Sequence, residues 1–136
     1  MQPLILSETE WRKRLSPAQY GALREGRSEC AFTGRYTDTH ADGVYHCAAC
    51  RSPLFDSADK FDSGTGWPSF TRPLAPDRVT DHPGVSQGRR RIETRCACCD
   101  GHLGHVFPDG PPPVGLSYRL NSVSLEFRAR EPGASN

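Results

Sequence analysis

Four cysteines dominate the chemistry available to this chain. Cys47-Ala48-Ala49-Cys50 is one C-x-x-C pair, and Cys96-Ala97-Cys98-Cys99 contains a second. Each pair can place two sulfurs along one edge of a tetrahedron, and together they form a four-thiolate set that suits zinc, with iron as the other metal for such a site. A closed shell of four thiolates leaves no position for substrate, so the ion is structural and contributes directly to folding. The knuckles stand much further apart than the roughly 15–20 residues of a simple zinc ribbon, so the metal must tie two distant parts of the domain together. A redox C-x-x-C would need a βαβ context, which the sequence lacks. Cys30 and Cys98 are left over. Cys98 is a spare residue in the knuckle turn or a competing ligand. Cys30 sits in the polar run Arg27-Ser28-Glu29-Cys30 and is expected to be exposed, with a reactivity set by nearby positive charge.

A second constellation joins two unusual stretches. Gly64-Thr65-Gly66-Trp67-Pro68-Ser69-Phe70 is a constrained aromatic loop, with Trp67 placed to offer a ring face to a ligand. His102-Leu103-Gly104-His105-Val106-Phe107-Pro108-Asp109-Gly110 carries two histidines three apart. With zinc satisfied by cysteines, His102 and His105 are read as pocket residues, beside glycines that let backbone approach closely. In the run from Ser117 to Phe127, Arg119, Asn121, Val123, Leu125 and Phe127 share one parity. Read as one continuous strand, that parity is the buried face, with Arg119 and Asn121 at its open end. An arginine in line with core residues needs a partner, because an unpaired buried charge is costly.

The elements that must position these groups are short. Ser7 and Glu10 form a capping box for a helix through Trp11 to Arg14. Ser16-Pro17 opens a second helix, with proline at its first position and Gly26 as terminator. Trp11, Leu15, Tyr20 and Leu23 pack these helices on the body. Gly43–His46, Arg91–Thr94 and Ser117–Phe127 read as strands, and strands separated by turn signals argue for an antiparallel body. With 136 residues, 13 Gly and 12 Pro, the composition favours one mainly β domain over long helices. We expect residues 1–29 as a helical segment packed on the body, 30–128 as the zinc-binding β domain, and 129–136 as a loose tail.

A formal net charge of +1 gives no strong pull toward nucleic acid or membrane, and Arg89-Arg90-Arg91 is too short a cluster to change that. The start, Met1 to Leu6, has neither a basic segment nor a long apolar one and is read as carrying no secretory leader, which favours a cytoplasmic address. A monomer is expected.

Taken together, these pieces resemble one family, the methionine-R-sulfoxide reductases (MsrB proteins). The resemblance runs from about Trp11 to Phe127. Its anchors are Phe32-Thr33-Gly34, the two knuckles, Pro53-Leu54-Phe55, Ser63 to Phe70, His102 to Pro111, Asn121-Ser122 and Ser124-Leu125. It implies two antiparallel sheets around a substrate basin with a structural zinc. It also implies reduction of the R epimer of methionine sulfoxide in proteins, with thioredoxin as reductant. Carried over, Trp67 holds the sulfoxide methyl group. His102, His105 and Asn121 line the polar side, and Asp109 supports them. The chain departs from the pattern at the nucleophile. The family's Arg-Tyr-Cys-x-Asn run reads Ser117-Tyr118-Arg119-Leu120-Asn121 here, so Arg119 stands where the catalytic cysteine is expected. Guanidinium is cationic and no nucleophile. Thr65 occupies a common position of the recycling cysteine, and Cys30 resembles an alternative one. Several readings follow: a reductase using Cys30, a silent module of the same fold binding methionine sulfoxide or a related polar or methyl group, a zinc-stapled domain with a relic pocket, or a variant of an ordinary reductase.

Overall fold

The computed structural model describes residues 4–86 and 89–130. Two short helices come first, α1 (Glu8–Arg14) and α2 (Pro17–Leu23). Both open on capping boxes. Ser7 Oγ accepts the Glu10 N–H while Glu10 accepts the Ser7 N–H, and Ser16 and Gln19 repeat the exchange ahead of Pro17. Gly26, at φ +73°, ends the helical stretch, and its N–H donates to the Ala22 carbonyl. Trp11, Leu15 and Leu23 are buried and Tyr20 packs against them. Arg24 fastens the helices to the second knuckle: its guanidinium lies 4.8 Å from the Trp11 ring and donates to the Cys99 carbonyl.

The body is the expected pair of antiparallel sheets. Its strands are β1 (Gly43–Cys47), β2 (Pro53–Asp56), β3 (Lys60–Phe61), β4 (Ser69–Phe70), β5 (Val79–Ser86), β6 (Arg89–Cys96), β7 (His102–Phe107), β8 (Ser117–Leu120) and β9 (Leu125–Ala129). One sheet has the order β2-β1-β9, the other β3-β4-β8-β7-β6-β5. Aromatic rings join them. Tyr45 of β1 and Phe55 of β2 meet Phe70 of β4 at centroid separations of 5.1 and 4.8 Å, and all three are fully buried. Tilted and edge contacts of this kind add about 0.5–1.5 kcal/mol each beyond their area.

The single strand expected from Ser117 to Phe127 is broken. β8 and β9 belong to different sheets, joined by a 3-10 turn over Ser122–Ser124. The chain crosses the core there, and its polar groups are satisfied on the way. Ser122 Oγ accepts the Tyr36 N–H, and Ser124 Oγ donates to the His102 carbonyl. The parity reading fails with it. On β8 the core residues are Tyr118 and Leu120, so Arg119 faces away from the core. The long apolar alternation misleads because both faces of β8 are covered, one by the core and one by the basin described below. Of the tail expected at 129–136, Ala129 closes β9, Arg130 donates its N–H to the Asp42 carbonyl, and the remainder lies outside the described residues.

Candidate functional site

The basin is built on the face of the large sheet turned away from the core. Cross-strand pairing puts His82 of β5, Glu93 of β6, His105 of β7 and Arg119 of β8 in one row. Residues three apart on a strand ordinarily face opposite ways. His102 and His105 share a face because the register slips between Thr94 and Arg95, leaving an extra residue on β7. Their rings stand edge to face at 5.3 Å. Gly104, between them, has no room for a side chain: a Cβ would collide with the Arg119 carbonyl. Gly104→Ala is therefore expected to prise β7 from β8 and cost about 2 kcal/mol. A thermal melt reads it, and an unchanged midpoint would contradict the packing described.

A cavity of about 240 Å³ lies over this row, lined by Trp67, His105, Phe107, Arg119 and Asn121 with Ser28 and Arg91. Ser28 lines its outer side, and the segment around it is tied down by hydrogen bonds. Trp67 Nε1 donates to the Glu29 carbonyl, and the Phe32 N–H donates to the Gly66 carbonyl. Asn121 holds the same segment with both ends of its amide, Nδ2 donating to the Arg27 carbonyl and Oδ1 accepting the Glu29 N–H. Arg119 folds along the cavity. Its guanidinium lies 4.0 Å from the Phe107 ring, it pairs with Asp109, and its buried Nε N–H has no partner among the described residues. His102 is 5% exposed at its side chain, gives Nδ1 to Glu93 at 2.6 Å, and leaves Nε2 without a partner among the described residues. Glu93 is also held by Arg95 at 2.8 Å.

Burial holds His105 below the ordinary histidine range, and the neighbouring His102 and Arg91 add to that. The unfolded chain protonates this histidine at about pH 6.5, before the folded chain does. Stability is therefore expected to fall as pH drops below about 6.5, until the folded-state pKa is passed. Arg91→Gln should move the His105 titration, followed by NMR, to higher pH. A curve unmoved by that change would remove Arg91 as a cause.

The second centre is the cluster of Cys47, Cys50, Cys96 and Cys99, whose sulfurs all lie within 4.8 Å of one another. Cys47 and Cys99 are 3.7 Å apart at sulfur, Cys50 and Cys96 3.5 Å. Four sulfurs at ~2.3 Å from a tetrahedral centre stand about 3.8 Å apart, so the set fits a bound metal ion and not a pair of disulfides. Thiol–thiol hydrogen bonding pushes Cys47 up and Cys50 down. A cation is what allows four such groups to be thiolates together. Cys98 is half-buried and outside this set, and Cys30 is exposed.

Comparison with known proteins decides the family. The SelR domain matches residues 15–129. A Thiobacillus denitrificans protein named peptide methionine sulfoxide reductase MsrB is 54% identical over 125 residues, covering 92% of this chain and 95% of that protein. Proteins of the same name from Pseudomonas fluorescens and Azotobacter vinelandii are 53% and 50% identical, over 96% and 98% of this chain and all of theirs. The chain belongs to the MsrB family.

In this MsrB chain, Trp67, His105, Arg119 and Asn121 meet at one cavity and Asp109 reaches it through Arg119. His102 stands in the adjoining basin wall. Thr65 does something local: its hydroxyl shares a hydrogen bond with Ser63 at 2.7 Å and accepts the Trp67 N–H, shaping the Trp67 loop. Cys30 is not among the residues lining the cavity. Sequence reading missed Arg91, Glu93 and Phe107. Phe107 was inside a recognised motif, and Glu93 alternates with Arg91 and Arg95 on one strand face. Only the pairing register brings that face to His105.

Proposed function

We propose that this chain recognises the R epimer of methionine sulfoxide in oxidised proteins and peptides, taking the side chain into the Trp67 cavity. One observation carries the reading: the Arg119 side chain, part-exposed, lines the same small cavity as the Trp67 and Phe107 rings. A sulfoxide needs both partners, a donor for its polar oxygen and an apolar wall for its methyl group. A donor on a guanidinium makes roughly a twofold stronger hydrogen bond than a neutral one, and the Asp109 pair fixes its direction. Repair in this family restores an apolar thioether from an oxidised, polar side chain. Here no thiol lines the cavity among the described residues, so the pocket supports binding and leaves the reductive step without a nucleophile.

A second reading keeps the reductase activity and gives the nucleophile's part to Cys30. The observation favouring it is that Glu29 and Phe32, on either side, are bonded to the Trp67 loop. The Cys30 thiol would attack the sulfoxide sulfur. The S–O bond breaks, oxygen leaves with a proton as the sulfenic acid of Cys30, and methionine is released. A dithiol such as thioredoxin then returns two electrons and water is lost. For this the sulfur must come within about 3–3.5 Å of productive approach.

Zinc, held by Cys47, Cys50, Cys96 and Cys99, supplies a structural anchor with a filled shell. A cytoplasmic monomer that binds neither nucleic acid nor membrane completes the proposal. No helix among the described residues is long and apolar enough to cross a membrane. The test pairs turnover of R-methionine sulfoxide, with dithiothreitol and with thioredoxin, against equilibrium binding. Binding without turnover, lost in Arg119→Ala, is expected. Turnover abolished by Cys30→Ser selects the second reading, and absence of both sinks the two together.

A further inference from the structure

We propose that the cationic face beside the Trp67 cavity receives a carboxylate-rich stretch of the substrate polypeptide flanking the oxidised methionine. This rests on the reading just given and adds a substrate class to it. A second cavity, of about 720 Å³, opens next to the first and shares Ser28, Arg91 and His105 with it. A polypeptide with one side chain in the smaller cavity can lay its neighbouring residues over the larger.

The charge of that larger wall is one-sided. Arg27, Arg91 and Arg95 stand there against a single carboxylate, Glu93. Glu93 is already taken, by Arg95 at 2.8 Å and by His102 at 2.6 Å. Arg95 is matched again by Asp100. Arg91 has no ion-pair partner among the described residues, and Arg27 meets only Glu25, at 3.4 Å and in solvent. The whole chain carries a formal charge of +1, so this excess is local to the basin. Gly84 lies directly across from Arg91, and a side chain there would meet nothing within 4 Å, which leaves room for a peptide alongside the guanidinium. His102, buried and held by Glu93, backs the same wall. Arginine fits the bidentate geometry of carboxylates, and electrostatic complementarity in an open cleft selects partners as well as steering them.

The experiment titrates fluorescent peptides by anisotropy. Each holds one R-methionine sulfoxide flanked by Asp and Glu, by Ala, or by Lys, with the unoxidised acidic peptide alongside. The acidic sulfoxide peptide should bind about tenfold more tightly than the alanine one, and the lysine peptide most weakly. The readout is the acidic-to-neutral ratio within each protein, which a merely weakened pocket leaves intact. That ratio should collapse in Arg27→Gln with Arg91→Gln, survive in the corresponding lysine variants, and shrink in high salt. Equal affinity for the three flanks, or a ratio retained in the double glutamine variant, overturns the proposal. So does an oligonucleotide competing as well as the acidic peptide. A preserved ratio with no preference for sulfoxide over thioether keeps the acidic surface and sinks the sulfoxide reading instead.

Discussion

Arg119→Cys raises turnover of R-methionine sulfoxide by on the order of 10,000-fold over the parent chain, with dithiothreitol as reductant. Removing the nucleophile from a working enzyme costs about that much or more, so supplying one to a site that keeps its other parts should recover the lower end of the range. The position is suitable: residue 119 pairs across the ladder with His105 on one side and Ser69 on the other, and its side chain lines the Trp67 cavity. The positive charge of Arg91 in the same wall favours the thiolate of an introduced cysteine. Attack on the sulfoxide sulfur transfers its oxygen to the thiol as a sulfenic acid, and dithiothreitol returns two electrons with loss of water. Adding Ser117→Arg should raise the rate further. The Arg119 guanidinium now lies over Phe107, the residue directly opposite Ser117, and pairs with Asp109. An arginine on 117 can occupy the space that Arg119 vacates and meet the same carboxylate. The Ser117 hydroxyl is buried without a partner, so no hydrogen bond among the described residues is lost. If the double variant is folded and metal-loaded yet inert, the cavity has been assigned to the wrong ligand.

Stripping the metal, by chelation at pH 5–6 or by Cys47→Ser, should abolish the cooperative fold. Structural zinc in small domains binds with about 10–16 kcal/mol of apparent free energy, comparable to the whole stability of a domain this size. Even a third of that amount moves a melting midpoint by roughly 15 °C. The effect is large here because Cys47 ends β1 of the small sheet and Cys96 ends β6 of the large one. One ion held there would span both sheets, and Arg24 hangs the helices on the same knuckle. Protons compete with the metal for thiolates, so loss should set in as pH falls and reverse on readdition of zinc. Less than about one equivalent of metal in the reduced, intact protein, or a melting curve indifferent to its removal, would refute the assignment.

The metal set and most of the pocket were legible because residue type and spacing carry them. Two C-x-x-C pairs name a tetrahedral site wherever the chain goes between them. The Trp67 loop and the His102 to Asp109 run are local motifs. What was not legible depends on pairing. That His102 and His105 belong to one pocket was read from their motif, but the bulge between β6 and β7 that turns them the same way shows only in the pairing. Glu93 reaches the basin through register with β7, Arg91 through register with β5, and Arg27 through Asn121's grip on its carbonyl. The break at Ser122–Ser124 was visible only as two serines on either side of Val123, and in a strand buried on one face those would have been solvent positions.

The knuckle and the cavity occupy opposite stretches of β6. Cys96 ends the strand and Arg91 lies five residues earlier, about 17 Å along it. What keeps the domain shut is thus physically separate from what its basin contacts. A lineage with this layout can lose a nucleophile in one genetic step and still make a folded, protease-resistant protein, since selection against misfolding acts on the knuckles. Position 119 is then free to drift, and on the reading proposed above a grip on an oxidised side chain would be raw material for a reader of damage in place of its repairer.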